Sequence, residues 1–364
     1  MDRRDFPHQY QEIARVLREQ IVRGDFREEG RLPSERNLVE RFHVQRNTVR
    51  KALALLERDG QIAIETKRGA FLRSASNRVQ GKSFLECVHT GQSASLTRLT
   101  QGFHRQAAES GFKVRMFDSH PPQGAALDPI PDVSTLDQDI AGVIVWPQNP
   151  TNVPALRKLR SALPLVLVDR RVAGLSSDCV RFADLAGGKM MADHLVSLGH
   201  RRIGFIADDV FAETVQQRWQ GYVSSLEANG IPIDPRLSLF FHGIDAPYFA
   251  MAMRHLLNRG DEAPTAIMCS NDVVAFTLFR FLHDEGVRVP DDLAVAGYGN
   301  LLPDYVNALA LTSVDQPFYE LGQAAARILV ERVGQTESER LRSPHDIEIP
   351  VRLVVRSSTQ PAAD

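Results

Sequence analysis

Short apolar runs alternate with amphipathic stretches along most of this 364-residue chain, and that rhythm limits its possible folds more than any other feature. Residues 84–88, 114–117, 142–146, 164–169, 202–207, 266–269 and 293–297 are apolar runs of strand length. The stretches between them have helical periodicity and predict helices around 96–110, 185–198, 213–229, 248–258, 273–285 and 319–333. Strands of this kind, buried on both faces and separated by helices, build parallel sheets covered on each side. Residues from 84 onward, about 280 in all, are too many for one small core, so two doubly wound lobes are expected. Ligands of such α/β folds bind beyond the carboxyl ends of the strands, here between the lobes.

The first 75 residues have a different pattern. Tyr10, Ile13, Leu17 and Ile21 form one helical stripe that Gly24 closes. Ser34 is a natural N-cap for a second helix, with Glu35 in its first turn and Leu38, Val39 and Phe42 on its apolar side. A turn at His43 and Val44 leads to a third helix, whose Val49, Ala52, Leu53 and Leu56 face a core. Gly60 is placed to end it. Its opposite side carries Asn47, Arg50 and Lys51, with Arg46 at the flank, and Arg and Asn are the side chains that match guanine and adenine edges in the major groove. Residues 61–72 then alternate as a hairpin with Lys67, Arg68 and Gly69 at its tip. Helix, helix–turn–helix and basic hairpin is the order of a winged helix-turn-helix.

Charge agrees with that division. Residues 1–80 hold 17 Lys and Arg against 12 Asp and Glu, while the remainder holds 26 against 33, so a polyanion is expected to meet the N-terminal end. No apolar stretch follows the first charged residues, and no run approaches the roughly 18 apolar residues of a membrane span. Cys87, Cys179 and Cys269 are odd in number and far apart, without disulfide or metal-ligand spacing. These features predict a cytoplasmic protein with no membrane partner, no metal and no cofactor. The Gly81-Lys82-Ser83 triplet does not make a phosphate loop, because Ser76 stands where that motif needs glycine.

The head resembles the GntR family of bacterial transcription regulators. The match runs through LPSER at 32–36, Val44, Arg46, Thr48, Val49, Arg50, Ala52 and Leu53, then Leu56, Glu57, Gly60 and GAFL at 69–72. That resemblance implies that Arg36 grips phosphate, and that Gln45, Arg46, Asn47, Thr48 and Arg50 belong to the DNA-reading surface. Thr66, Lys67 and Arg68 would touch the adjacent groove or backbone. Gln45 stands where the family usually has Ser or Thr, so the usual N-cap of the recognition helix is lost. The wing departs as well, with Lys67 and Ala70 in place of the usual glycine and threonine.

The body resembles the LacI-type effector domain, with its periplasmic-binding-protein fold. The matching segments are PLVLVDR at 164–170, HLVSLGHRRIGF at 194–205, RWQGY at 218–222, TAIMCSND at 265–272, GVRVPDDLAVAGY at 286–298, LTSVDQP at 311–317 and RLVVRSS at 352–358. A GntR-type head on a LacI-type body has the architecture of the arabinose-responsive repressors of Gram-positive bacteria. The combined pattern implies a winged head at 1–75, a linker at 76–83 and a body at 84–364. One lobe would comprise about 84–183 and 312–335, the other about 184–311 and 345–364. Arg218 and Asn271 align with residues that hold ligand hydroxyls, and Asp169, Phe182, Thr214, Ser95 and Leu96 fall at other cleft positions. Trp146 closes a strand that ends at the cleft, and Asp272 is expected to cap the helix that follows it. Gly299 replaces the aspartate that usually follows Gly-Tyr and binds sugar hydroxyls, with Asn300 or Asp304 as partial substitutes. The loss favours an anionic or bulkier ligand over a neutral polyol.

The function these expectations converge on is a ligand-responsive regulator, a repressor, acting as a homodimer on a palindromic double-stranded DNA operator. Its effector would be a sugar or sugar derivative. The alternative is a cofactor-dependent transferase carrying a DNA-binding head. Lys82, Lys113, Lys158 and Lys189 are the body's only lysines, and none has the context of a cofactor lysine. The chain also lacks the HExxH and GxSxG signatures. A solute-binding transport protein disagrees with the basic head.

Overall fold

A computed structural model describes residues 9–23, 26, 31–58, 61–65, 69–72, 81–88, 94–119, 129–147, 152–241, 246–301 and 310–359. The chain forms two compact units, a head within Met1–Lys82 and a body of Ser83–Glu109 and Lys113–Asp364.

The head contains helices α1 (Gln9–Arg23), α2 (Glu35–Phe42) and α3 (Arg46–Arg58), followed by strands β1 (Ile62–Glu65) and β2 (Gly69–Leu72). Its core holds Ile13, Ala14 and Leu17 of α1, Leu38 of α2, and Val49, Ala52, Leu53 and Leu56 of α3. Of the residues the periodicity predicts, Tyr10, Ile21, Val39 and Phe42 are only partly buried against it, and Ala14 joins it unpredicted. The Ser34 hydroxyl accepts the Asn37 N–H at 3.2 Å and starts α2. His43, with φ of 51°, takes the left-handed conformation that turns the chain into α3. The two strands pair antiparallel from Ile62 opposite Leu72 to Glu65 opposite Gly69, as the alternation requires. Gly24, Gly60 and the hairpin tip lie outside the described residues.

The body has two six-stranded sheets. In the first the order is β13-β7-β6-β5-β3-β4, with every pair parallel. Its strands are β3 (Ser83–Val88), β4 (Lys113–Asp118), β5 (Ile140–Val145), β6 (Leu165–Asp169), β7 (Asp178–Phe182) and β13 (Asp346–Ile349). Ser83, expected at the end of the linker, therefore opens the first body strand; residues 73–80 are outside the described set. The second sheet runs β14-β12-β11-β10-β8-β9, parallel except where β14 meets β12. These strands are β8 (Ile203–Ala207), β9 (Ser238–Phe240), β10 (Ala266–Cys269), β11 (Ala294–Gly299), β12 (Thr312–Asp315) and β14 (Arg352–Val354).

Helices α4 (Ala94–Glu109), α5 (Val153–Ala162), α10 (Phe318–Arg332) and α11 (Glu337–Arg342) belong to the first lobe. Helices α6 (Asp184–Ser197), α7 (Glu213–Ala228), α8 (Ala246–Leu257) and α9 (Asp272–Asp284) belong to the second. The chain crosses between lobes at residues 182–184, 315–318 and 349–352. Two lobe boundaries differ from those expected. Thr312–Asp315 pairs with β11 in the second sheet rather than joining the first lobe, and Asp346–Ile349 pairs with β7 in the first rather than lying in the second. Gln316-Pro317 and Pro350 follow these short strands, and proline ends ladder pairing, so each crossing comes just after its strand. No helix among the described residues is long and apolar enough to cross a membrane.

Candidate DNA and effector sites

On the head, the exposed side of α3 is organised by a carboxylate of α2. Glu35 accepts Arg46 Nε at 2.6 Å and Arg50 Nε at 3.1 and 3.2 Å. The Arg46 bond, reinforced by Arg50, holds the Glu35 carboxyl below its usual range. Both arginine side chains remain largely exposed, at 69% and 57%. Arg36 pairs with Glu40 one turn along α2 at 3.1 Å and is also exposed. Gln45 and Asn47 are exposed, whereas Thr48 is half-buried. The Gln45 carbonyl accepts the Thr48 and Val49 N–H groups and so begins α3. The structure thus brings Arg46 and Arg50 together at Glu35 and leaves Arg36, Gln45 and Asn47 exposed on or beside the same two helices. Thr66, Lys67 and Arg68 lie outside the described residues. Glu35 was missed as the residue that orders the arginines; its place in the first turn of α2 was the available signal.

In the body, the strand ends bring several expected residues together. Asp169 ends β6 with φ of 74° and is buried. Its Oδ2 accepts Trp146 Nε1 at 3.2 Å and both Arg170 Nε and Nη2 at 3.2 Å. The Phe318 ring lies 5.6 Å from Trp146 and 4.9 Å, edge-on, from Phe182, making an aromatic corner. Asp169, Phe182, Asp184 and Thr214 line one small cavity between the lobes, with Glu213 and Gln217. Ser95 and Leu96 are buried in the first turn of α4 and are not among its described lining residues.

Arg218 occupies a more closed setting than a residue open to ligand. Gly188 and Gly221 let α6 and α7 meet closely; a Cβ on Gly188 would stand 2.3 Å from the Arg218 carbonyl oxygen. In that contact Arg218 is buried, donating from Nε to Asp184 Oδ1 and from Nη1 to the Ser270 carbonyl, both at 2.8 Å. Its guanidinium carbon lies 3.9 Å from the Tyr298 ring centroid. Burial pushes the Asp184 carboxyl up to about 6, partly offset by the Arg218 charge. Arg218 is thus anchored to a carboxylate, and Asp184 carries that anchor to the cavity wall.

Asn271, not Asp272, caps α9: its Oδ1 accepts the Val274 N–H at 2.9 Å while its Nδ2 donates to Asp208 at 2.9 Å. Asp272 is turned inward, accepting Ser313 Oγ at 2.7 Å and Leu301 N–H at 2.9 Å. The preceding residue has the extended backbone that a cap needs. Gly299 has φ of +122°, and a Cβ there would lie 2.7 Å from Leu301 Cγ, so this backbone suits glycine and strains an aspartate. Asn300 is committed to the fold through Asp315 and Arg356 rather than left as a free acceptor. Asp304 is outside the described residues.

Two further features have no counterpart in the sequence expectations. Across the cleft, Arg171 after β6 grips Glu213 at the start of α7, through its backbone N–H at 2.9 Å, Nε at 2.8 Å and Nη2. Gln316 is buried on a crossing segment with its Nε2 unpaired.

Residues 9–72 match the model of the bacterial regulatory proteins of the gntR family, and residues 192–359 match a periplasmic binding protein-like domain. The chain joins a GntR-family head to a periplasmic-binding-protein-like body. The chain is similar to the arabinose metabolism transcriptional repressor of Geobacillus stearothermophilus, at 24% identity over 361 residues. That alignment covers 96% of this chain and 97% of the relative. The HTH-type transcriptional repressor PurR of Mannheimia succiniciproducens is 32% identical over 209 residues, and the match spans only 60% of that relative. Among solved structures, a LacI family transcriptional regulator from Enterococcus faecium with bound ribose aligns at a TM-score of 0.61 and 26% identity. It covers 78% of this chain and 100% of that one. The transcriptional regulator CelR–cellobiose complex aligns at 0.62 over 86% and 91%, and at 22% identity it shows the shared fold.

Proposed function

We propose that this protein is a ligand-responsive transcription repressor of the bacterial cytoplasm, its head binding an operator and its body taking a sugar-like effector between the lobes. The observation that carries the reading is the set of exposed side chains on the helix-turn-helix, with Arg46 and Arg50 ordered by Glu35, Arg36 paired with Glu40, and Asn47 beside them on α3. Charged and amide side chains so placed match phosphates and base edges. As a homodimer the chain would present two heads to a two-fold site, as symmetric regulators do. Relatives named as repressors support this direction of control and a sensor rather than a catalyst in the body.

The cleft suits an effector that works by lobe closure. Phe182 lines the small cavity together with Asp169 and Asp184, and the Phe318 ring packed on it and on Trp146 backs that wall, a setting of ring and carboxylates that suits a sugar. Arg171 and Glu213 join the two lobes across the cleft, so their pairing depends on lobe separation. An effector that favours one separation changes the head's affinity for DNA, and DNA changes effector affinity by the same factor. The test is operator binding by the full chain with Arg46→Ala and Arg50→Ala. Loss of site preference with effector binding intact supports the division of labour, and joint loss of both contradicts it.

A further inference from the structure

A second cavity of about 880 Å³ lies between the lobes beside the crossing segments, lined in part by Arg98, Asn300, Asp315, Gln316, Phe318 and Arg352. Phe318 links it to the effector cleft, since the same ring packs on Trp146 and Phe182. Its polar groups are unevenly satisfied. The acceptors are largely taken: Asp315 Oδ1 accepts Asn300 Nδ2 at 2.9 Å, and its Oδ2 accepts Arg352 Nε at 3.0 Å. Asn300 Oδ1 accepts Arg356 Nη2 at 3.2 Å.

The donors are not. Gln316 is only 3% exposed, yet its Nε2 has no hydrogen-bond partner, an arrangement that leaves a buried amide donor costly unless something accepts from it. Arg98, half-buried on α4, has no ion pair among the described residues. The 15-residue α10 begins beside them at Phe318, with Pro317 supplying no side-chain cap to its first N–H groups. The wall also carries two carboxylates: Asp315, whose charge is met by Arg352 and Asn300, and Glu320, which is exposed in the first turn of α10. Gly299, nearby at the end of β11, adds no acceptor of its own.

We propose that the effector carries an anionic group, a carboxylate or a phosphate, held by Arg98, the Gln316 amide and the amino end of α10, which makes it a sugar acid or sugar phosphate. This rests on the reading of the body as a sugar-type sensor. Arg98 comes from the first lobe and Gln316 from a crossing segment, so an anion between them also bridges the parts that move on closure. A guanidinium–anion bond is about twice as strong as a neutral one, and its loss should be visible as a change in affinity.

The experiment is calorimetric titration of the full chain with matched pairs: glucose against glucuronate and glucose 6-phosphate, and ribose against ribose 5-phosphate, with inorganic phosphate alone as a further arm. The expected result is that an anionic member binds at least about tenfold more tightly than its neutral parent, and that Arg98→Gln removes most of this preference while Arg98→Lys recovers part of it. The carboxylate and phosphate arms then distinguish the two sources of charge. Circular dichroism of Arg98→Gln establishes that the variant is folded, and Gln316→Leu, which removes the buried donor, is expected to weaken the same ligand. A neutral parent that binds as tightly as its anionic partners, an anion affinity that survives Arg98→Gln, or no binding by any anionic member overturns the proposal. Operator binding measured on the same samples separates the two readings: a neutral sugar that shifts DNA affinity overturns the anion while leaving the regulator intact, whereas absence of DNA binding overturns the regulator.

Discussion

Replacing Arg218 by Met should give the body a stability that depends on pH in a defined way. The pair it forms with Asp184 is 2.8 Å long between side chains that are 7% and 3% exposed, and removing one member of a buried pair costs about 3–5 kcal/mol. The two possible deletions differ, because the charge left behind differs. Without Arg218, Asp184 can take up a proton. Burial already pushes it up to about 6 with the cation present, so the variant's folded value lies higher still. The unfolded value is about 3.9. A folded pKa raised above the unfolded one contributes stability that is fully present below the unfolded value and is lost as pH rises through the folded value. Arg218→Met should therefore lose stability between pH 6 and 8, by at most about 1.4 kcal/mol per unit, while in the native pair this group's contribution falls mainly between pH 4 and 6. Asp184→Asn leaves a buried guanidinium that cannot neutralise in this range, so this site should add no slope to the variant's stability between pH 6 and 8. Urea unfolding of both variants at pH 6, 7 and 8 is the assay. A flat profile for Arg218→Met, or an equal slope for Asp184→Asn, refutes the reasoning.

Glu35→Gln should strengthen binding to random DNA and reduce discrimination between sites, since Glu35 both competes with phosphate for Arg46 and Arg50 and orders them; fluorescence anisotropy on selected and random duplexes measures both. Unchanged discrimination would argue that the arginines need no such ordering. Arg171→Ala removes a cross-cleft pair whose side chains are 48% and 28% exposed, so solvent screening limits its worth to roughly 0–1 kcal/mol. Effector affinity should fall no more than about fivefold, with a larger radius of gyration by small-angle scattering. A hundredfold loss would show that the pair does more than assist closure. Gly299→Asp should lower the thermal midpoint rather than tighten sugar binding, because a side chain at φ of +122° costs about 1–3 kcal/mol and meets Leu301. Tighter binding of a neutral sugar at unchanged stability would contradict this.

Local features were legible in the sequence, and pairings were not. The stripe of Val49, Ala52, Leu53 and Leu56 and the Ser34 cap depend on neighbours a few residues away, and both are present in the structure. The two short strands Thr312–Asp315 and Asp346–Ile349 pair in the lobes opposite to those expected, because four residues carry too little pattern to choose a sheet; only their hydrogen-bonded partners decide. The same holds for Arg218, whose carboxylate lies 34 residues earlier at the head of a neighbouring helix. Capping at Asn271 instead of Asp272 is a one-residue shift of the helix start, within the range where a pattern of apolar residues cannot discriminate. Phe318 and Gln316 could have been suspected only once the crossing after Asp315 was located.

The measurement that bears most directly on the whole account is selection of duplexes from a random library by the purified full-length chain, followed by titration of the enriched sequence with the native protein, Arg46→Ala and Arg50→Ala. The account predicts a two-fold symmetric sequence, bound tightly by the native chain and no better than random DNA by either variant, with affinity altered by an effector of the body. Enrichment of no sequence, or an enriched site bound equally well by the variants, would contradict it.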